Sequence, residues 1–278
     1  MSYLILAIGS SVLMSVGMRV AGTKVRGKAG MLTVNYLICL IIAVLFAGDC
    51  DFFPKQEGLG LTGFLGSVNG ILYVSNFLLY QFNIRKNGVV LSTTFMKLGL
   101  LVPMVLSIFL FGEMPEWLQW LGFGLALIAI LIINYEKDNT VVSSGFGLIA
   151  ILLVGGVTDS MAKVYNFYAN PALSEQFLLY TFSAAVIVCG IWTLLKKEKP
   201  GLREIGYGIL IGVPNYFSAR FLLKAVESLP AVIAYPTYSV GTIIVVTLVG
   251  LCIFREKLGR RQWIGLGVIL VALVLLNL

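Results

Sequence analysis

The chain repeats itself. Residues 103–135 and 245–278 are near-copies, displaced by 143 positions. Identical residues coincide in that register at Phe111/Phe254, Glu113/Glu256, Trp120/Trp263, Gly122/Gly265, Gly124/Gly267, Ala129/Ala272 and Asn134/Asn277. With small shifts the match extends upstream, where Arg19 aligns with Lys163 and Gly99 with Gly241. In a chain of 278 residues, this period predicts two halves joined head to tail.

The apolar residues occur in blocks that are long enough to cross a membrane. The composition is 59% hydrophobic and 12% charged, about half the charged fraction of a soluble domain. Ten blocks alternate with short polar connectors, at roughly 2–22, 31–48, 59–80, 88–111, 117–135, 144–166, 174–195, 203–223, 230–253 and 261–278. A helix needs about 20 residues to cross the hydrocarbon. The sequence therefore predicts an all-α membrane protein with ten transmembrane helices.

The basic residues predict the orientation of these helices. Fourteen of the 20 Lys and Arg residues lie in connectors 1–2, 3–4, 5–6, 7–8 and 9–10, whereas the alternate connectors hold only Lys55 and Lys224. Short basic loops stay in the cytoplasm. We therefore expect both termini to lie outside. The basic connectors also suit contact with anionic lipid, but a role in topology alone is the favoured explanation.

Because each half has an odd number of spans, the second half enters the membrane from the opposite side. We predict inverted five-helix repeats at 1–137 and 144–278, with a linker at 138–143. Inverted repeats are typical of secondary transporters, which bind their substrate near the bilayer midplane.

The interior of the bundle is predicted from polar residues and prolines. Spans 5 and 10 are almost entirely aliphatic and suit a lipid-facing position, whereas spans 1, 3, 4, 6, 8 and 9 carry polar side chains within their apolar runs. Pro103, Pro214 and Pro236 interrupt inner spans, either as hinges or as static kinks.

Leaving out the first two residues of each block, five charged residues fall inside the predicted spans, where each needs a partner, water or a function. Arg19, Lys163 and Arg220 lie near span ends, so snorkelling to the headgroups is an alternative to substrate binding. Lys97 and Asp159 lie near the centre of their spans. Asp159 and Lys163 are also spaced as a helical ion pair. Asp159 is therefore either neutralised by Lys163 or available for a substrate amine or a coupling proton, with Lys97 attracting an anionic group.

Polar and aromatic residues on the inner spans complete the predicted substrate-binding set. The full set is Lys97, Asp159, Tyr73, Asn69, Asn76, Tyr36, Tyr180, Asn215, Tyr216, Tyr238, Lys163, Arg19 and Arg220. Asn69, Tyr73 and Asn76 share one face of span 3. The sequence shows no nucleophile–base pair, phosphate-binding loop or metal-ligand cluster, so we expect neither an enzyme nor a cofactor or metal.

A motif near the end of each half connects the chain with a known family. The first copy has Gly112-Glu113, Gln119 and Gly122, and the second has Glu256, Gln262 and Gly265, with Arg255 in place of the first glycine. This pattern resembles the drug/metabolite transporter superfamily, in particular its ten-helix EamA-type branch. The resemblance implies alternating access around a central cavity lined by spans 1–4 and 6–9. It also implies a metabolite, amino acid or organic cation as cargo. Many members are drawn with cytoplasmic termini, in contrast to the orientation that the charges predict here.

These observations predict a secondary transporter of the cytoplasmic membrane that moves a small polar metabolite, an amino acid or related carboxylate. The alternative cargo is an organic cation or drug, exported through Asp159 and cavity tyrosines. A scaffold or receptor is a third reading, disfavoured by the midplane Lys97. The expected partners are the substrate and the lipid bilayer, not nucleic acid. We expect a monomer, with a dimer as the alternative.

Overall fold

The computed structural model describes residues 1–25, 27–47, 52–134, 144–255 and 259–278. The predicted linker at 138–143 and the second-copy motif residue Glu256 lie outside this part of the chain. The described residues form ten α-helices and one 3₁₀ turn. The helices are α1 (Ser2–Lys24), α2 (Lys28–Phe46), α3 (Leu59–Leu98), α4 (Leu101–Phe111), α5 (Trp117–Asn134), α6 (Gly145–Tyr168), α7 (Ser174–Leu195), α8 (Leu202–Ser228), α9 (Ala231–Cys252) and α10 (Arg260–Leu276).

The helices are long and apolar enough for a membrane protein. Eight candidate spans have the length and hydropathy needed to cross a bilayer, within the described residues. The apolar stretch Trp117–Ile133 of α5 is shorter, and α10 has 17 residues. Both helices expose large apolar side chains, including Trp120 and Trp263, as expected for helices that face lipid. The all-α membrane architecture predicted from the sequence is confirmed.

The third and fourth predicted spans differ from the sequence-based boundaries. Helical structure continues from Leu59 to Leu98 without the break predicted near residue 81. In a straight helix, the 13 residues from Tyr80 to Thr93 would span about 20 Å. Their side-chain oxygens instead lie 3.1 Å apart, so the axis of α3 must turn sharply between them. Residues 81–87 contain no proline or glycine, and helical hydrogen bonding can therefore persist into the turn.

The chain forms two compact units, each assembled from both halves of the sequence. Unit 1 contains residues 1–74 and 161–227, and unit 2 contains residues 75–160 and 228–278. Within unit 1, α2 packs on α7, and within unit 2, α5 packs on α10 and α4 on α9. Each of these pairs joins a helix of the first half to its equivalent in the second half.

In unit 2, the contact between α5 and α10 is antiparallel and self-complementary. Gly122, near the start of α5, lies against Ala272 and Leu276 near the end of α10. Gly265, near the start of α10, lies against Ala129 and Ile133 near the end of α5. The two contacts exchange when 143 is added to or subtracted from each number, as a two-fold axis requires. The small residues permit this close approach, and the equivalent helices run in opposite directions.

Unit 1 uses glycines in the same way. In α3, Gly66 and Gly70 lie directly against the backbone of α7, so that neither position has room for a side chain. In α8, Gly208 and Gly212 lie against α2. The α3–α7 and α8–α2 pairs are equivalent under the repeat.

Contacts near the helix ends agree with the basic residues, which predict that successive connectors lie on alternate sides of the membrane. In unit 1, Glu198 of connector 7–8 accepts hydrogen bonds from the start of α2, and Asn170 of connector 6–7 donates to the Glu57 carbonyl of connector 2–3. In unit 2, Asn87 donates to the Ser144 carbonyl near the start of α6. Each contact joins connectors assigned to the same side of the membrane.

Candidate functional site

The candidate site lies in unit 2, where α6 crosses the segment between α3 and α4. A Cβ atom on Gly156 would collide with the Gly99 carbonyl oxygen and the Val102 side chain. A Cβ atom on Gly99 would lie 3.2 Å from the Leu152 carbonyl oxygen and 3.3 Å from the Gly156 nitrogen. The two backbones therefore touch, and side chains one turn away on either segment come close together.

Pro103 explains why the chain breaks at this crossing. A proline lacks the N–H that would bond the carbonyl four residues earlier, here Gly99. The structure has a turn at Gly99 and Leu100, held by hydrogen bonds from Gly99 N–H to the Met96 carbonyl at 3.2 Å and from Val102 N–H to the Gly99 carbonyl at 3.0 Å. Lys97 lies in the last turn of α3, immediately before this break. The helices α8 and α9, in contrast, continue through Pro214 and Pro236.

Lys97 and Asp159 are brought together by the crossing. Asp159 follows Gly156 by three residues and so lies on the same face of α6. The ammonium group of Lys97 and the carboxylate of Asp159 are electrostatic partners. Within the described part of the chain neither group makes an ion pair of 4.0 Å or less, and neither makes a hydrogen bond. Lys97 is half-buried, whereas Asp159 is exposed. The structure therefore holds two opposite charges near each other without direct contact.

Asn76 contributes an oxygen acceptor beside these charges. Its Oδ1 atom lies 3.2 Å from the position that a Cβ atom on Gly155 would occupy, one turn before Asp159 on α6. This oxygen is buried and has no hydrogen-bond partner among the described residues. An unpartnered buried acceptor costs about 1–3 kcal/mol. Asn76 and Asp159 therefore place two oxygen acceptors along the same face of α6.

Most of the other predicted site residues lie in unit 1. They are Arg19, Tyr36, Asn69, Tyr73, Lys163, Tyr180, Asn215, Tyr216 and Arg220. Tyr238 is half-buried on α9 and lies in unit 2. The structure thus places Asn76, Lys97, Asp159 and Tyr238 in one compact unit and the remaining predicted residues in the other.

Arg220 has a protein partner that the sequence analysis missed. Its Nη2 atom donates to Glu175 Oε1 at 2.5 Å, and its Nε atom donates to Oε1 at 3.0 Å and Oε2 at 3.2 Å. The Phe46 ring covers the guanidinium, with its centroid 4.0 Å from Cζ, and Tyr216 donates to Glu175 Oε2 at 3.3 Å. The sequence placed Arg220 near a span end, and its partner Glu175 lies in the first turn of α7. Nothing in the sequence selects Glu175 among the acids near the span ends.

Lys163 is satisfied by the end of α8. Its Nζ atom donates to the Val226 carbonyl at 3.4 Å. Four residues after Val226 is Pro230, which has no N–H to offer that carbonyl. A cation near the C-terminal end of a helix also interacts favourably with the helix dipole. This contact gives Lys163 a role in ending α8.

The remaining predicted residues of unit 1 make packing or hydrogen-bonding contacts. Asn69 Nδ2 donates to Thr181 Oγ1 at 3.3 Å, and Asn215 Nδ2 donates to Asn35 Oδ1 at 3.3 Å. The centroid of the Tyr73 ring lies 6.3 Å from that of the Phe182 ring. The Tyr180 hydroxyl donates a hydrogen bond to the Phe52 carbonyl. Tyr36 is buried, whereas Arg19 is exposed. Asn69 Oδ1 is buried and has no partner among the described residues.

Glu113 of the repeated motif has a structural role that its spacing did not reveal. Gly112 ends α4 with φ +65°, a conformation that favours glycine. The next residue then accepts hydrogen bonds from Ala231 N–H at 2.6 Å and Val232 N–H at 3.4 Å, at the start of α9. The motif thus places a carboxylate on the first turn of another helix, where the dipole favours negative charge.

Inverted helix pairs, a broken helix and opposed charges inside the membrane define a membrane carrier of small molecules. The comparisons identify the family. Residues 1–135 and 142–278 both match the EamA-like transporter family, and the chain belongs to that family.

Individual relatives share about a quarter to a third of their residues with this chain over the matched regions. An uncharacterized protein of Haemophilus influenzae is 25% identical over 280 residues, covering 96% of this chain and 94% of that protein. The uncharacterized inner membrane transporter YedA of Escherichia coli K12 is 26% identical over 177 residues, which are 61% of this chain and 56% of YedA. The chain thus matches about half the length of YedA.

A shorter relative and a solved structure complete the comparison. The spermidine export protein MdtI of Cronobacter sakazakii is 34% identical over 94 residues, which are 33% of this chain and 82% of MdtI. A crystal structure superposes with a TM-score of 0.78 at 12% identity, covers 98% of this chain and 94% of that one, and has the same fold.

Proposed function

We propose that the chain is a secondary transporter of a small zwitterionic metabolite, an amino acid or related carboxylate, working by alternating access. The observation that carries this proposal is the arrangement of Lys97 and Asp159. They are electrostatic partners without an ion pair in the described part of the chain. A charge inside the membrane costs at least about 2.5–3.5 kcal/mol on insertion scales. Two separated opposite charges are best compensated by a ligand that carries both signs.

The roles follow from the chemistry of the two side chains. Lys97, in the last turn of α3 before the helix break, donates to the substrate carboxylate. Asp159 accepts from the substrate ammonium group, and Asn76 Oδ1 offers a neighbouring acceptor. Asp159 is also the candidate for a coupling proton, since it is the carboxylate of this site. Tyr238 and the polar residues of unit 1 contribute to substrate selection.

The test is uptake of radiolabelled amino acids into proteoliposomes. We expect Lys97→Gln and Asp159→Asn each to reduce uptake at least about tenfold, since each removes a charged contact of about 1.5–3 kcal/mol. Lys224→Gln is the matched control, because it removes a lysine near the end of α8, outside the candidate site. If both site variants transport at the wild-type rate, the assignment of these residues is wrong.

An organic-cation exporter is a second candidate. The relative MdtI, named as a spermidine export protein, favours it. In this case Asp159 binds the cation and Lys97 is dispensable. Competition with a monoamine, a carboxylate and a zwitterion of similar size separates the two proposals. Inhibition by the amine alone, unchanged in Lys97→Gln, supports the exporter.

We further propose that the protein lies in the cytoplasmic membrane, and the relative YedA, which is named as an inner membrane transporter, supports this. The basic connectors support external termini. The α5–α10 contact within one chain supports a monomer, with a dimer as the alternative. The accessibility of a cysteine introduced at residue 2, measured in cells, tests the orientation of the N-terminus. Light scattering of the purified protein tests the oligomeric state.

A further inference from the structure

Four helix ends meet at one end of unit 1 and bring two basic connectors together. The carboxylate of Glu198, from connector 7–8, accepts hydrogen bonds from Ala29 N–H at 3.1 Å and Gly30 N–H at 3.2 Å at the start of α2. Pro200 packs on Gly30 so closely that a Cβ atom there would lie 3.3 Å from its ring. The connector between α7 and α8 is thus docked on the connector between α1 and α2.

This docking separates the acidic from the basic side chains. Glu198 and Glu204 are half-buried, and Glu204 accepts from Gly27 N–H at 3.4 Å. The basic side chains remain exposed, and none of these side chains forms an ion pair or a hydrogen bond within the described part of the chain. We call them the basic cluster: Lys24, Lys28, Lys196, Lys197, Lys199 and Arg203.

Exposed apolar side chains adjoin the basic cluster at the end of α7 and the start of α8. Leu194 and Leu195 at the end of α7 are 77% and 78% exposed, and Leu202 at the start of α8 is 90% exposed. They directly adjoin Lys196 and Arg203 in the sequence. Leucines exposed beside unpaired bases match the boundary between acyl chains and phosphates, where an anionic phospholipid presents both kinds of group.

We propose that the basic cluster binds the headgroup of an anionic phospholipid, with Leu194, Leu195 and Leu202 against its acyl chains. The geometry that carries the proposal is the juxtaposition of the two connectors, which concentrates bases from both halves while Glu198 and Glu204 point their charge at the start of α2. By the positive-inside rule, this lipid belongs to the cytoplasmic leaflet.

The experiment measures the stability of the full-length protein in neutral detergent. Dioleoylphosphatidylglycerol is titrated and the apparent melting temperature is followed, with dioleoylphosphatidylcholine as the neutral lipid. We expect stabilisation by phosphatidylglycerol alone, weakening when the salt concentration is raised from 50 to 500 mM as screening requires. The variant K196Q/K197Q/K199Q/R203Q should bind about fivefold more weakly for each base removed, since each contributes about a fivefold gain in affinity. If this variant does not fold, K196Q/K197Q and K199Q/R203Q are tested separately, with about 25-fold weakening expected for each.

The matched control is R85Q/K86Q/R260Q/R261Q, which removes four bases from other connectors and should retain the response. Equal loss in the control overturns the proposal, because the effect would then reflect net charge alone. Stabilisation by glycerol 1-phosphate equal to that by phosphatidylglycerol also overturns it, since a soluble phosphate would then suffice without the leucines. An equal shift in melting temperature with phosphatidylcholine also overturns the proposal, because the headgroup charge would then not matter.

Discussion

Replacing Gly156 by alanine tests whether the glycine crossing builds the candidate site. A Cβ atom there would collide with the Gly99 carbonyl and with Val102, and relief of both contacts requires the segment after α3 to move by roughly 1 Å. Overpacking of this kind costs about 1–3 kcal/mol, and the better helix propensity of alanine returns up to about 1 kcal/mol. We expect a net loss of about 1–2 kcal/mol in the free energy of unfolding. Because Lys97 lies just before the displaced segment, transport should fall by up to about 100-fold.

The assay is reversible unfolding in mixed micelles by titration with a denaturing detergent, together with uptake into proteoliposomes. The matched control is Gly145→Ala, because it makes the same substitution on α6 at a position with no atom within 4 Å of the added Cβ. That variant should be as stable as the wild type, or more stable by up to about 1 kcal/mol. Equal stability and equal transport in the two variants would refute the role of the crossing.

Two further substitutions test contacts that fix the helices. Glu175→Gln removes the charge opposite Arg220, whose side chain is 16% exposed. A fully buried pair would lose about 3–5 kcal/mol, and partial exposure lowers our expectation to about 2–3 kcal/mol. A double-mutant cycle with Arg220→Gln measures the coupling free energy between Glu175 and Arg220. A coupling energy near zero contradicts a stabilising ion pair between them. Glu113→Ala removes the cap of α9 and should cost about 1–2 kcal/mol in the same unfolding assay, with Glu116→Ala as the control. Equal effects of these last two changes would count against the cap.

The sequence was most informative where periodicity alone decides the structure. Block length predicted the helices, and the period of 143 predicted which of them are equivalent. The antiparallel contact of Gly122 and Gly265 with the opposite helix follows from the same symmetry. Lys97 and Asp159 could be selected because charges deep in a span are rare.

The sequence was less informative where a side chain has several partners of the same chemistry. The partner of Arg220 is Glu175, but nearby connectors carry other acids that would have suited it equally well. Lys163 was grouped with the substrate-binding residues, yet it bonds a carbonyl of α8. Such choices depend on the rotation of each helix, which polar composition does not specify. The sequence also did not predict that helical structure continues beyond Tyr80 to Leu98, because the boundary between the third and fourth spans was drawn from hydropathy alone.

The helices of the two repeats are arranged symmetrically, but the charged residues Lys97 and Asp159 are not repeated. Repeat-related helices make equivalent contacts, as a pseudo-two-fold axis in the membrane plane requires. The charges do not repeat. With Gly99 aligned to Gly241, Lys97 corresponds to Ser239, and with Arg19 aligned to Lys163, Asp159 corresponds to Ser15. Under the proposed function, a site with one lysine and one aspartate binds a zwitterion in a single orientation.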